Sequence, residues 1–413
     1  MTAHRPRFAA PNLRFPEFRS AGDWHFLPLS HVAEPLSEKV GTSKCVPMSV
    51  TTGVGLVSQE EKFGRIIAGK SYRSYIRLQT NDFAYNKSAT KEFPQGYIAR
   101  YRGMKDAAVP NSIFACFRPD AAAVIPEYLD HLLHGNHHGR WLRKYITVGA
   151  RAHGALSVSD DALMSMPIPL PPAPVSRPEQ LKIADCLGSL DDLIAAAERS
   201  LEMLRRHKTG LMQQLFPQPG KTGNRLRFPE FLDGSTWNEL RIGDVCQLKA
   251  GDYIPASQIA EHADEGLFPC YGGNGLRGYV RSFTHEGRYV LVGRQGALCG
   301  NVNLFAGRFH ATEHALVATP NTGIDTGWLF YALDFLNLNR FSTGLAQPGL
   351  SVAVLQDVGV AVPTNKGEQQ KIADCLGTLD DLITAEGRRL DSLRQHKRGL
   401  TQQLFPSLEA QSR

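Results

Sequence analysis

KIADCLGSLDDLI, Lys182 to Ile194, returns as KIADCLGTLDDLI, Lys371 to Ile383, and both copies run on through L..LR.HK.GL.QQLFP, 189 positions apart throughout. In the first copy Ile183, Leu187, Leu190, Ile194, Ala197, Leu201, Leu204, Lys208, Leu211 and Leu215 follow one another in alternating steps of four and three residues. The second repeats the pattern with Ile372, Leu376, Leu379, Ile383, Glu386, Leu390, Leu393, Lys397, Leu400 and Leu404. A period of 3.5 residues held for this length predicts a seam against a partner helix in a left-handed supercoil. The obvious partner is the other copy. Pro217 and Pro406 close the two helices, and Pro178 stands near the start of the first, where its missing N–H costs nothing. Each rod spans roughly 50 Å at 1.5 Å per residue.

A second repeat sets the domain order. RFPEF at Arg14–Phe18 recurs at Arg227–Phe231, and a tryptophan follows each, Trp24 and Trp237. The order is therefore tag, insert, helix, tag, insert, helix, with expected boundaries at 1–175, 176–217, 218–364 and 365–413. The inserts differ in length and sequence. The first mixes β-like runs (Tyr72–Leu78, Ile113–Phe117) with a helical stretch from Pro126 to His134, and the second has strand-like Arg288–Val292 and Ala315–Ala318 and helix-like Thr326–Asn337. Both end in a glycine-rich turn and a short apolar strand leading into the coil. MPIPLPPAPVSRP reads as a stiff boundary belonging to neither neighbour's core.

The expected fold class is α+β, two globular domains separated by two long helices. Helix one ends where insert two begins. If the halves are equivalent, helix two must end beside insert one, so the helices form an antiparallel coiled coil with pseudo-two-fold symmetry and one domain at each end. Lys208 and Lys397 occupy equivalent seam positions; each either lifts its ammonium to the rim or fixes register.

Bulk properties bound the function. The 413 residues leave room for two or three domains, and 21% charged with 9% aromatic residues is ordinary globular composition. The net charge of +6 is modest, but from Lys62 to Lys105 ten Lys or Arg residues face two acids, Asp82 and Glu92. Seven cysteines without a C-x-x-C argue against a disulfide framework or structural zinc. No apolar run reaches membrane-spanning length and the N-terminus lacks a hydrophobic signal core, so a soluble cytoplasmic protein is expected, with no membrane partner.

Several literal motif matches fail on context. GRIIAGKS, Gly64–Ser71, fits the phosphate-loop pattern, yet SQEEKF precedes it where a buried strand belongs and a strand-like run follows where a helix belongs. GNGLRG, Gly273–Gly278, is followed by YVRSF rather than a dinucleotide-binding helix. HLLHGNHH, His131–His138, has no carboxylate or cysteine clearly placed to complete a metal site and reads as helix-end histidines on a surface, and the His310/His314 pair falls on a turn and strand rather than the helix such a motif needs. No catalytic residue and no metal ligand is assigned. The chain reads as one that positions others.

The positive signal is the basic run of the first insert, where cations interleave with Tyr72, Tyr75, Tyr85, Tyr97 and Tyr101. Cations suit phosphates, while Arg, Asn and Gln read base edges bidentately. The DNA-binding candidates are Arg73, Arg77, Tyr85, Asn86, Lys87, Arg100, Arg102, Lys105 and Arg151, with Tyr271, Asn274, Arg277, Arg294, Gln295 and Gln347 in the second insert. A merely solvated basic face is the competing reading of the run.

The order of domain and helix, with EQ.KIADCLG.LDDLI and the terminal QQLFP, resembles the specificity subunit of type I restriction-modification systems. DFAYNKS and GYIARY in the first insert, and YGGNG, GRQGA, TEHALV and GLAQPGLSV in the second, look like parts of its target-recognition domains. The resemblance covers nearly the whole chain. It implies a non-catalytic DNA-binding subunit in which each domain reads one half of a split, asymmetric double-stranded target. The helices would act as a ruler and dock two methyltransferase subunits, with restriction subunits joining the complex. S-adenosylmethionine, ATP and magnesium would belong to those partners, with no cofactor in this chain. The alternatives are a coiled-coil scaffold whose inserts bind proteins, or the specificity subunit of a related system without a separate restriction subunit.

Overall fold

The computed structural model describes residues 8–407 except 52, 147–154, 219, 220, 222, 224, 235, 297 and 345–347. The chain divides into two compact units, Met1–Ala196 with Leu390–Arg413, and Ala197–Arg389. The division cuts through both long helices, Ser176–Leu215 and Lys366–Leu404, so each unit holds the first part of one and the last part of the other.

In the first unit, strands Ala33–Leu36, Phe114–Pro119, Phe83–Asn86 and Tyr97–Arg100 lie side by side in that order, each antiparallel to the next. A smaller sheet of Gly55–Ser58, Val46–Thr51, Ala107–Val109 and Ile76–Leu78 adjoins them in sequence. Phe83 and Phe117 stack at 5.2 Å across the first sheet, over which helix Pro126–His134 buries Tyr128, Leu129, Leu132 and Leu133.

The second unit repeats this plan with different residues. Cys246–Ala250, Ala315–Pro320, His285–Gly293 and Val302–Ala311 follow the same order and the same antiparallel pairing, and helix Thr326–Phe335 follows the second of these in space just as Pro126–His134 follows Phe114–Pro119. Val290, Leu291 and Val292 are all but fully buried, as a β-branched run in a central strand should be. The hairpin Phe268–Gly272 and Gly275–Val280 extends the sheet to six strands.

The recurring tag is explained in both units by one set of contacts. Arg14 grips Glu179 bidentately, Nε to Oε1 and Nη2 to Oε2 at 2.7 Å each, and Arg227 grips Glu368 through the same atoms at 2.8 Å. Both carboxylates are buried in the first turn of a long helix, where the helix dipole also favours negative charge. Lys182 reaches Glu17 at 3.3 Å, and Lys371 reaches Glu230 at 3.2 Å. The glutamine that follows each glutamate serves the insert. Gln180 Oε1 accepts from the N–H of Ile125 and Gln369 Oε1 from that of Asp325, the residues that cap the two insert helices. The strand after each tag pairs antiparallel with the strand leading into the helix, Trp24–Pro28 with Pro167–Leu170 and Asn238–Arg241 with Gly359–Val362.

Within each unit the paired helix segments run antiparallel. In the first, Ile183 and Leu187 share a core with Leu404 and Phe405, while further along Asp191 meets Lys397. In the second, Met212 and Leu215 share a core with Ile372 and Leu376, while Lys208 Nζ meets Asp380 Oδ1 at 2.6 Å. Of the expected seam, Ile183, Leu187, Leu201, Ile372, Leu376 and Leu390 are buried, and Leu190, Ile194, Leu204, Leu379, Ile383 and Leu393 are half-buried. The two seam lysines bind the first aspartate of the opposite LDD, which favours the register reading over a free ammonium at the rim.

Two sequence expectations are corrected. The proline-rich stretch is not excluded from the core, since Met166, Ile168 and Leu170 are buried and Pro167–Leu170 is an edge strand, the position that tolerates prolines lacking an N–H. Tyr72–Leu78 is a strand only from Ile76; Lys70–Ser74 forms a 3-10 turn, bound through the Tyr72 hydroxyl to the Cys45 carbonyl at 2.6 Å.

Candidate nucleic-acid interface

Both inserts present a cation at the same place, immediately after the strand that comes second along the chain among the shared four. Lys87 follows Phe83–Asn86; its N–H donates to the Ile113 carbonyl at 2.9 Å and its carbonyl accepts from Leu156 N–H at 2.8 Å. Arg294 follows His285–Gly293; its N–H donates to the His314 carbonyl and its carbonyl accepts from Leu350 N–H, both at 2.9 Å. The next residue in each case forms a bridge to the loop before the final strand, Ser88 to Ala155 and Gln295 to Gly349. A residue held by its backbone on both sides carries its side chain in a fixed direction, which base reading requires. Lys87 Nζ lies 3.2 Å from Asp160, a pair exposed enough to open to a phosphate.

In the second unit the segments YGGNG, GRQGA, TEHALV and the end of GLAQPGLSV converge on this point. A Cβ placed on Gly273 would lie 2.7 Å from the His314 carbonyl and 3.1 Å from Gly293 Cα, so the hairpin tip closes tightly over the strand end. Asn274 at that tip, Arg277 beside it and Gln295 are exposed, and Arg294 is half-buried. His314, weighed in the sequence only as half of a metal pair, has its Nδ1 3.2 Å from Gln295 Oε1 and its Nε2 3.1 Å from Glu313 Oε1. His310 points elsewhere, to the Asp252 carbonyl at 3.2 Å. Tyr271, expected among the readers, is stacked on Phe305 at 3.6 Å and braces the sheet.

The first unit redistributes its candidates. Tyr85 is a core residue rather than a reader: it is fully buried, its hydroxyl donates to the Gln95 carbonyl at 2.8 Å, and desolvation pushes its pKa up. Arg77 is bound to Asp106 and Glu38. Arg100 is tied to Asp130 at 3.0 Å, to Asn81 at 3.1 Å and to Glu127, and Arg102 to Asp130 at 2.7 Å. Burial raises the Asp130 carboxyl, but His134 and Arg102 outweigh it and hold the group well below the usual carboxylate range. Arg100, 11% exposed, is therefore a structural cation, whereas Arg102, 61% exposed, keeps an open face. Asn86 has its Oδ1 buried without a hydrogen-bond partner among the described residues. Arg73 and Lys105 are exposed. Arg151 and Gln347 lie outside the described residues.

The acids that engage these arginines, Asp106, Glu38 and Asp130, are 29, 39 and 30 or fewer positions away in sequence, so nothing local signalled them. Three of the four histidines of HLLHGNHH serve the core. Burial drives the pKa values of His131, His137 and His138 down to about 4, and His137 and His138 bond to the carbonyls of Pro167 and Gly96. No group of metal-binding side chains occurs among the described residues. Gly64–Ser71 follows a short helix, Gln59–Phe63, instead of a strand, and Gly273–Gly278 lies in a hairpin, so neither has nucleotide-binding geometry. No helix among the described residues is long and apolar enough to cross a membrane.

Residues 234–395 match the family described as the type I restriction modification DNA specificity domain. The chain is 43% identical over 150 residues to the type I restriction enzyme EcoprrI specificity subunit of Escherichia coli, covering 36% of this chain and 37% of that one. It is 29% identical over 161 residues to a putative type I specificity subunit of Haemophilus influenzae, covering 38% and 41%. The match thus spans about two fifths of the length of these relatives. A putative type I restriction enzyme specificity subunit of Methanocaldococcus jannaschii is 22% identical over 339 residues, 78% of this chain and 77% of its own. In fold the chain is similar to the crystal structure of a type I restriction-modification S subunit from M. genitalium, with a TM-score of 0.65 at 16% identity over 97% of this chain and all of that one.

Proposed function

We propose that the chain is a member of the type I restriction-modification DNA specificity family and serves as the sequence-reading subunit of a DNA-modifying complex, with each insert reading one half of a bipartite, asymmetric double-stranded target. The observation that carries this reading is the pairing of one topology with two sets of side chains. At equivalent positions the first insert offers Lys87, Ser88 and Ile113 where the second offers Arg294, Gln295 and His314. A frame that is duplicated while its strand-end residues diverge suits two unlike half-sites.

The duplicated helices supply the other half of the proposal. Asp185, Asp192 and Leu193 are exposed, and so are their counterparts Asp374, Asp381 and Leu382. Packing does not require exposed positions to match between copies; a partner bound twice does. We assign these faces to two methyltransferase subunits, and the helices to setting the distance between half-sites. Catalysis, S-adenosylmethionine, ATP and magnesium belong in this reading to the partners, with restriction subunits completing the complex in the cytoplasm, where the chromosome is accessible. The test is binding of the full chain with its methyltransferase to a random duplex pool at low and raised salt. Enrichment of one split sequence, weakened by salt as phosphate contacts demand, supports the proposal; equal affinity for all sequences refutes it.

A further inference from the structure

Within the second insert, Glu313, His314 and Gln295 form a chain of contacts ending at the surface. Glu313 Oε1 lies 3.1 Å from His314 Nε2, and His314 Nδ1 lies 3.2 Å from Gln295 Oε1. Nδ1 thus faces an amide oxygen, an arrangement satisfied when that nitrogen carries its proton and donates. The other carboxylate oxygen, Glu313 Oε2, is buried without a hydrogen-bond partner among the described residues, so the imidazole is the partner this carboxylate has.

The consequence falls on the amide. A free glutamine presents both an acceptor and a donor and pairs bidentately with adenine, accepting from N6 and donating to N7. With His314 donating to Gln295 Oε1, that oxygen is turned toward the imidazole and the NH2 group becomes the end turned away from it, a donor that suits an acceptor edge such as guanine N7 and O6. Arg294, the adjacent residue, is also donor-only. Resting on the DNA-reading function proposed above, we infer that His314 is a positioning residue that fixes the Gln295 amide and so makes this loop select guanine over adenine at one base pair.

The first insert supplies an internal control. Ile113 stands where His314 does and Ser88 where Gln295 does, so no such relay exists there. Disturbing His314 should therefore alter one half-site and leave the other untouched, which a general loss of folding would not do.

The experiment is sequence selection from a random duplex pool by the full chain with its methyltransferase, comparing wild type, His314→Ala, His314→Arg and Gln295→Ala. Wild type should enrich a split target with guanine at the position that Gln295→Ala relaxes. His314→Ala should cut the guanine-over-adenine preference at that same position by about tenfold, while His314→Arg, still a donor toward both oxygens, should restore it. Should wild type enrich a target and His314→Ala give the same profile, or relax both half-sites alike, the inference is overturned while the DNA-reading function stands. No enrichment by wild type overturns that function itself.

Discussion

Replacing Glu368 by alanine removes the acceptor of two charge-assisted bonds from Arg227, both 2.8 Å, and of the bond from Trp237 Nε1 at 3.1 Å. Glu368 is 0% exposed, so the guanidinium loses its buried carboxylate and the indole N–H its acceptor. Breaking a buried pair by deleting one partner costs about 3–5 kcal/mol, and Arg227 then keeps its Nη1 bond to the Gly234 carbonyl at 3.1 Å. With a urea dependence of about 2 kcal/mol/M for a unit of this size, the midpoint should fall by on the order of 2 M. Glu368→Gln retains an acceptor for Trp237 and one guanidinium contact and should cost roughly half as much. Glu179→Ala deletes the same salt bridge in the first unit, but Trp24 Nε1 has no partner there among the described residues, so its cost should be the smaller. Hydrogen exchange resolved by peptide reads the two units separately, through His285–Gly293 in the second and Phe83–Asn86 in the first. A loss below about 1 kcal/mol for Glu368→Ala, or equal protection in alanine and glutamine variants, would refute the claim that the tag latches the helix through this pair.

Other outcomes follow from the same contacts. Arg294→Ala should cost about 1–3 kcal/mol of discrimination at one half-site, and Lys87→Ala should weaken binding to the other, both measured by titration against single-base target variants. Leu201→Asp or Leu390→Asp, at seam positions 8% and 5% exposed, should abolish binding of the methyltransferase in a pull-down while both inserts stay folded by circular dichroism; retained assembly in both would contradict the role of the helix pair. The first unit should lose stability in acid. His131, His137 and His138 titrate near 4 when folded and near 6.5 when unfolded, so the unfolded chain takes up protons first as pH falls. Their contribution is full above about pH 6.5 and declines towards about pH 4, a slope that urea titrations across that range should show and that triple replacement by glutamine should flatten.

The helices were the most legible part because a seam is periodic: Leu187 and Leu376, spaced by heptads in the sequence, are 0% exposed in the fold. The tag was legible as a repeat but not in its purpose, since the contacts of Arg14 and Arg227 cross 165 and 141 residues. Candidate site residues divide by how far away their partners lie. Arg294 and Gln295 are candidates picked from a glycine-flanked loop, a local signal, and they lie at a strand end with Gln295 exposed. Arg100 looked equally available in sequence and is engaged by Asp130 on a helix 30 positions on, which composition does not reveal. Tyr85 alternates with apolar neighbours in a strand buried on both faces, and there the alternation that separates inside from outside fails.

The central claim is that two unlike readers share one duplicated frame, and mapping of methylated bases across the genome of cells carrying this chain with its methyltransferase tests it most directly. The account predicts one split motif made of two different half-sites with a constant gap, whose halves change separately when Lys87 or Arg294 is replaced. A single uninterrupted motif, the same half-site repeated, or methylation indifferent to both replacements would contradict it.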